Sequence, residues 1–282
     1  MITLMDFPVV RSFVWRFSRR LYRWARREAI KTFESNGELR LLQNVLAGVD
    51  RNKVSILLDI GAHKGIWSET AVALLMSNNI PGHVHAFEPA SFLFSRLLEK
   101  FKGSELALMH NMAMSNLSGE AEFFVVSELG GTNSLTRLDG TTIEKVRTLS
   151  LDEFLHIEQI EHVQLVKSDT EGHDLKVLMG ASESLRKGLI DVWQFEYNHR
   201  WIRERSYIKD VFDFIADKPY TLGKLYENGI ETYDMWHPEL EHFFESNYVL
   251  IRKGSRYEKL CSQVCFNERN VLMPVTVELY GN

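Results

Sequence analysis

The 282-residue chain is 45% hydrophobic and 25% charged, with a formal net charge of −5. These values fit one large soluble domain with additions; scarce proline and the lack of any low-complexity linker argue against a second independent domain. Its two cysteines, Cys261 and Cys265, fit neither a zinc ribbon nor a secreted disulfide framework, so a reducing cytoplasm is the expected setting.

The charge is unevenly spread. Residues 1–31 hold Arg11, Arg16, Arg19, Arg20, Arg23, Arg26, Arg27 and Lys31 against Asp6 and Glu28, a balance of +6 that leaves −11 for the remainder. Val10, Val14, Phe17, Leu21 and Trp24 recur at helical spacing with Phe13 alongside, and most of the arginines fall on the other faces. The arginines interrupt any signal-peptide core, and no stretch approaches the roughly 18 apolar residues of a membrane span. Two arrangements suit this segment. In one, residues 7–27 lie as a basic amphipathic helix on an anionic membrane, placing a cytoplasmic protein at the membrane's inner face. In the other, the apolar stripe docks on the rest of the chain or on a second subunit of a homo-oligomer, and the arginines stay in water. The −11 of the body argues against a nucleic-acid partner.

A second helix is expected over residues 36–48, closing an N-terminal segment at 1–50. The main domain is expected at 51–253 and a C-terminal extension at 254–282. Strands at 54–60, 83–88, 106–113, 163–169 and 190–197 alternate with helices at 65–77, 91–102, 151–158 and 174–187. Short strands are expected at 120–126 and 145–149. Between them, Gly130-Gly131-Thr132-Asn133-Ser134 reads as a mobile turn that covers a ligand or contacts an acceptor. A helix at 207–216 and closing strands at 220–225 and 248–252 follow. Residues 226–246, rich in Tyr, Trp, His and acids, read as either a cap over the site or an ordinary mixed core. The alternation predicts an α/β fold: a mostly parallel sheet with helices on both faces and an antiparallel edge.

The first strand of that core, Ile56-Leu57-Leu58-Asp59-Ile60, runs into Gly61-Ala62-His63-Lys64-Gly65 and then a helix. Glycine lets bare backbone approach a ligand, and the helix start points amides toward it. The dinucleotide fingerprint G-x-G-x-x-G lacks its middle glycine here, and Glu88 lies 27 residues after Gly61 against the roughly 20 expected. Asp59 would repel a diphosphate and attract an ammonium or sulfonium. S-adenosylmethionine carries both cations and no phosphate. Glu88 closes the next strand, where an acid accepts hydrogen bonds from ribose hydroxyls. Asp59, Gly61, Ala62, His63, Gly65 and Glu88 therefore read as a cofactor site, with Asn111 and Ala113 at the end of the third strand bordering the adenine.

A second cluster repeats the logic. Val163 to Asp174 is an apolar strand ending in Lys167-Ser168-Asp169-Thr170-Glu171-Gly172-His173-Asp174. Side chains alternate along a strand, so Lys167, Asp169 and Glu171 share one face. The strand ending at Tyr197 carries Glu196, with His199 just beyond. These groups are expected to converge above the sheet, with Asp169, Glu171, His173 and Glu196 as catalytic candidates. The spacing of Asp169, Glu171 and Glu196 admits a divalent metal such as Mg²⁺ without requiring one.

The chain resembles the FkbM family of S-adenosylmethionine-dependent methyltransferases. The match rests on Leu58 to Gly65, Phe87-Glu88-Pro89, Thr148-Leu149-Ser150-Leu151-Asp152, and Val166 to Asp174 followed by Val177-Leu178-x-Gly180. It covers about residues 55–200, and its Lys-x-Asp-x-Glu-Gly element is the most specific part. The resemblance implies a Rossmann-like class I methyltransferase with S-adenosylmethionine as donor. It implies an oxygen acceptor on a sugar, glycan or natural product; a membrane-bound helix would suit a lipid-linked one. His63 stands where the family commonly has Asn, and His173 where the residue is often small. Two other functions compete: a non-catalytic binder of the cofactor or of S-adenosylhomocysteine on the same scaffold, and a nicotinamide oxidoreductase.

Overall fold

The computed structural model describes residues 7–27, 32–126, 133–136 and 142–275. Its elements, in chain order, begin with helices α1 (Pro8–Ala25) and α2 (Glu38–Ala47). The parallel core follows with β1 (Ser55–Ile60), α3 (Ile66–Ser77), β2 (Gly82–Phe87), α4 (Ser91–Lys100) and β3 (Ala107–His110). Next come β4 (Ala113–Met114), β5 (Gly119–Val125), β6 (Thr142–Leu149) and α5 (Leu151–Ile157). Then β7 (Val163–Ser168), α6 (Asp174–Met179), α7 (Ser182–Arg186), β8 (Ile190–Tyr197) and α8 (Ile208–Ile215) complete the helical layers. The chain closes with β9 (Tyr220–Tyr226), β10 (Gly229–Tyr233), β11 (Ser246–Arg252), β12 (Cys261–Phe266) and β13 (Leu272–Pro274).

Ten strands form one sheet in the order β13-β12-β10-β9-β11-β8-β7-β1-β2-β3. Strands β3, β2, β1, β7 and β8 are parallel, β11 and β9 run antiparallel to their neighbours, and β10 is antiparallel to β9 but parallel to β12. The core strands are buried along nearly their whole length, as their apolar runs require. One face packs under α2 and α3 through Leu41, Val45, Leu57, Trp67, Leu165 and Val192. The other packs under α5 to α8 through Leu58, Phe154, Val166, Leu178, Trp193 and Val211. From β1 the chain proceeds outward to β2 and β3, whereas β7 and β8 lie on the other side of β1. The strand order therefore reverses between β1 and β7, where open α/β sheets bind ligands beyond the carboxyl ends. Packing also runs across the positions expected as segment limits: α2 lies in the core, and residues beyond 253 supply β12 and β13.

Three expected elements differ. The strand expected at 106–113 leaves the sheet after His110, and Ala113–Met114 joins β5 and β6 in a separate three-stranded sheet. The Asn111 side chain donates to the Glu88 and Pro89 carbonyls at 2.9 and 3.0 Å, which holds the chain where it departs. The helix expected at 174–187 is broken at Gly180 and Ala181. There a Cβ on Gly180 would lie 2.1 Å from the Ser115 carbonyl oxygen, and the Asp152 carboxylate caps α7 through the amides of Glu183 (2.9 Å) and Ser184 (2.8 Å). Finally, residues 226–246 include the hairpin strand β10, and none of them lines the cleft described next. Glu241 in this stretch accepts from Trp236 Nε1 and Tyr197 Oη, both at 2.8 Å, so much of its aromatic content serves packing. Among the described residues, no helix is long and apolar enough to cross a membrane.

Candidate active site

Above the β1/β7 switch lies a cleft of about 760 Å³, including space open to solvent. Phe87, Leu93, Met112, Met114, Phe123 and Leu135 give it apolar walls, and the small sheet supplies one side. Gly61, His63, Glu88, Ala113, Asp169, Glu171 and His173 also line it. Of the residues expected to hold the cofactor, Gly61, His63, Glu88 and Ala113 are therefore on the wall. Asp59, Ala62, Gly65 and Asn111 are not.

The glycine turn works differently from expectation. Gly61 has φ +81°, and a Cβ there would sit 2.1 Å from the Asp169 carbonyl oxygen; the missing side chain lets the two loops close on each other. At Gly65 a Cβ would collide with Leu97 at 2.6 Å. The turn's amides are already engaged: Gly61 and Ala62 both donate to the Phe87 carbonyl at 3.0 Å, and His63 donates to Glu88 Oε2 at 2.8 Å. Glu88 Oε1 accepts from the Ala90 amide at 2.9 Å. Burial pushes the Glu88 carboxyl up to about 7, against the pull of those two amides.

Asp59 is wholly buried. Its Oδ2 accepts from Ser68 Oγ at 2.6 Å in the first turn of α3, and its Oδ1 stands 3.7 Å from Lys167 Nζ. Burial raises its pKa and Lys167 opposes the rise. The same lysine reaches Asp169 Oδ2 at 3.3 Å. Burial works against the charge on Lys167, but Asp169 and Asp59 outweigh it and hold the group above the ordinary lysine range.

The catalytic candidates converge in part. Asp169, Glu171 and His173 line the cleft, and oxygens of Asp169, Glu171 and Glu196 lie within 4.8 Å of one another. Glu196 is not on the cleft wall; Asn198 Nδ2 donates to it at 2.7 Å, and its strand end is held by Trp201 Nε1 on the Glu196 carbonyl at 3.0 Å. Glu171 pairs with Arg200, a partner the sequence did not suggest, and has φ +58°, an uncommon conformation for a non-glycine residue. Burial, then Asp169 beside it, pushes Glu171 up to about 8 while Arg200 pulls it down. Glu196 is raised by burial, Asp169 and Glu171. His173 is buried; its Nε2 meets Ser115 Oγ at 2.9 Å, and burial holds its pKa down to about 4. Its Nδ1 has no hydrogen-bond partner among the described residues. His199 is exposed and off the cleft.

Asn133 of the expected turn lines the cleft, and Ser134 Oγ donates to the carbonyls of Thr170 (3.1 Å) and Glu171 (3.2 Å). Gly130, Gly131 and Thr132 lie outside the described residues. The apolar walls at Leu93, Phe123 and Leu135 were not singled out from sequence, where they are indistinguishable from core.

The arrangement can place an aromatic base among apolar side chains and a cation against acids, so its residues fit S-adenosylmethionine. The three-carboxylate cluster also has the oxygen chemistry of a divalent-cation site, although each acid already meets a donor from Lys167, Arg200 or Asn198.

Comparison with known proteins places these features. Residues 59–222, more than half of the chain, match the family described as Methyltransferase FkbM domain. The hexuronic acid methyltransferase AglP of Haloferax volcanii is 28% identical over 154 residues, which is 53% of this chain and 59% of that relative. Among solved structures, the Methanococcus jannaschii fibrillarin pre-rRNA processing protein is 15% identical, with a TM-score of 0.40 over 79% of this chain and 77% of its own. M. capricolum TrmK, solved with S-adenosylhomocysteine, is 13% identical, with a TM-score of 0.39 over 76% and 68%.

Proposed function

The chain belongs to the FkbM-domain methyltransferases, which depend on S-adenosylmethionine, and from that premise we propose that it methylates a hydroxyl of a sugar, glycan or natural product. The observation that carries this reading is the two-ended cleft, apolar at Leu93, Phe123 and Leu135 and acidic at Asp169 and Glu171. S-adenosylmethionine, when bound, supplies a methyl group on a cationic sulfur. The apolar walls would hold its adenine, with Ala113 beside them, and Glu88 would accept from the ribose hydroxyls with the lone pairs that the two amides leave open.

Asp169 is the proposed base. Lys167 Nζ fixes its Oδ2, leaving Oδ1 able to take the proton of an acceptor hydroxyl. Glu171, pushed up to about 8 by burial and by Asp169 and paired with Arg200, flanks Asp169 on the wall and would orient the acceptor beside it. His173, which burial keeps neutral, and Glu196 back this face of the site, and positioning would supply much of the rate. A sugar acid is the first acceptor to test, because the Haloferax relative is named for hexuronic acid.

Calorimetry with S-adenosylhomocysteine comes first, followed by labelled-methyl transfer into hexuronic acid glycans, lipid and polysaccharide fractions, and RNA. Label on a saccharide hydroxyl supports the proposal. Label confined to RNA overturns it, and tight binding without transfer to any acceptor assigns the chain to the non-catalytic alternative.

A further inference from the structure

Helix α1 is turned the opposite way from a docked amphipathic helix. None of its residues is buried: Phe13 is 64% exposed, Phe17 54% and Trp24 77%. Val9, Phe13, Phe17, Leu21 and Trp24 form one stripe at helical spacing, and the rings of Phe13 and Phe17 stack at 6.1 Å. The opposite side meets the body. The guanidiniums of Arg19 and Arg23 lie 5.3 and 5.6 Å from the Phe244 ring centre, Tyr22 packs against the same ring, and Arg26 pairs with Glu239 at 2.7 Å. Just past the helix, Arg27 pairs with Glu231 at 2.8 Å. Of the stripe expected to dock on this chain's own domain, Phe17, Leu21 and Trp24 are exposed and Val10 and Val14 half-buried; arginines make the contact instead, because the surface they meet offers acids and an aromatic ring.

We infer that the outward face of α1 binds an anionic lipid surface. Residues 7–27 carry seven arginines and no acid. Arg16 and Arg20 border the stripe along one edge, and Arg11 lies near the start of the helix; all three are exposed. An apolar stripe edged by arginines suits the boundary between acyl chains and anionic headgroups. A second copy fits less well, because pairing two such helices face to face would bring two arginine-rich flanks together. The acidic remainder of the chain is repelled by the same membrane, which confines the contact to the helix.

The test is co-sedimentation of the full-length chain with vesicles of phosphatidylcholine alone and of phosphatidylcholine with phosphatidylserine, alongside sedimentation velocity without lipid. Binding is expected to phosphatidylserine vesicles, with a loss of about tenfold or more on raising salt or omitting the anionic lipid. Phe13→Ser with Phe17→Ser, and separately Arg11→Gln with Arg16→Gln and Arg20→Gln, are each expected to weaken it about tenfold while thermal unfolding stays unchanged. No binding, or equal binding to both vesicle types, overturns the inference. So does a lipid-free dimer that the Phe13/Phe17 variant dissociates, which would assign the stripe to a second copy.

Discussion

Asp59 and Asp169 sit at the ends of adjacent parallel strands, and in sequence they look alike: an acid closing an apolar run before a glycine. In the fold they differ completely. Asp59 pairs in register with Lys167 inside the sheet, whereas Asp169 lies two residues further along the same face, level with Gly61. That small advance moves a carboxylate from a wholly buried position to the wall of the cleft. Lys167 serves both, so one cation balances an interior acid below and a cleft-wall acid above. Register along the strand, rather than residue type, separates the two roles.

Breaking the shared cation should have the largest effect. Lys167→Met strands Asp59 in the interior and is expected to cost about 3–5 kcal/mol of stability, read from chemical denaturation. Asp169→Asn should sharpen the contrast: methyl transfer falls about 100-fold while the unfolding midpoint hardly moves. If affinity for S-adenosylhomocysteine collapses instead, Asp169 is a cofactor ligand and the base lies elsewhere.

Ionisable groups shut inside the sheet extend the comparison to its other side. His85 Nδ1 lies 3.1 Å from His110 Nε2, and burial holds both histidines down to about 4. Between pH 4 and 6.5 the unfolded chain therefore binds protons that the folded chain refuses. Stability contributed by this pair is present above pH 6.5 and is lost as pH falls toward 4. Replacing His85 by Phe should flatten that acid limb by roughly 2 kcal/mol, seen as a smaller drop in melting temperature between pH 7 and 4.5. The smallest expected effect concerns the cleft acids. Since donors already meet Asp169, Glu171 and Glu196, excess chelator should change methyl transfer less than about twofold. A large loss restored by Mg²⁺ would make the cluster a metal site.

Much of this architecture was readable because strands buried on both faces leave continuous apolar runs, as at 54–60, 163–169 and 190–197. What escaped depends on distant partners. The break between α6 and α7 needs Asp152 from another helix and the close pass of Gly180 by Ser115, neither of which is local. The small sheet was obscured because β4 is two residues long and β5 alternates poorly. The acids of the second cluster could be grouped by strand periodicity, yet their separation into wall and interior required the register between β1 and β7. The glycine turn was located correctly, but its glycines answer to Asp169, Leu97 and Phe101 as well as to any ligand.

The buried hydroxyl of Ser134 sits behind the cleft wall, between the wall residues Asn133 and Leu135. By donating to two consecutive backbone carbonyls of the loop that bears Asp169 and Glu171, it buttons a segment of the small sheet to the rim of the large one. Such a clasp is uncharged and shielded from water, so it fixes Asn133 and Leu135 relative to the loop of Asp169 and Glu171 without adding charge to the cleft.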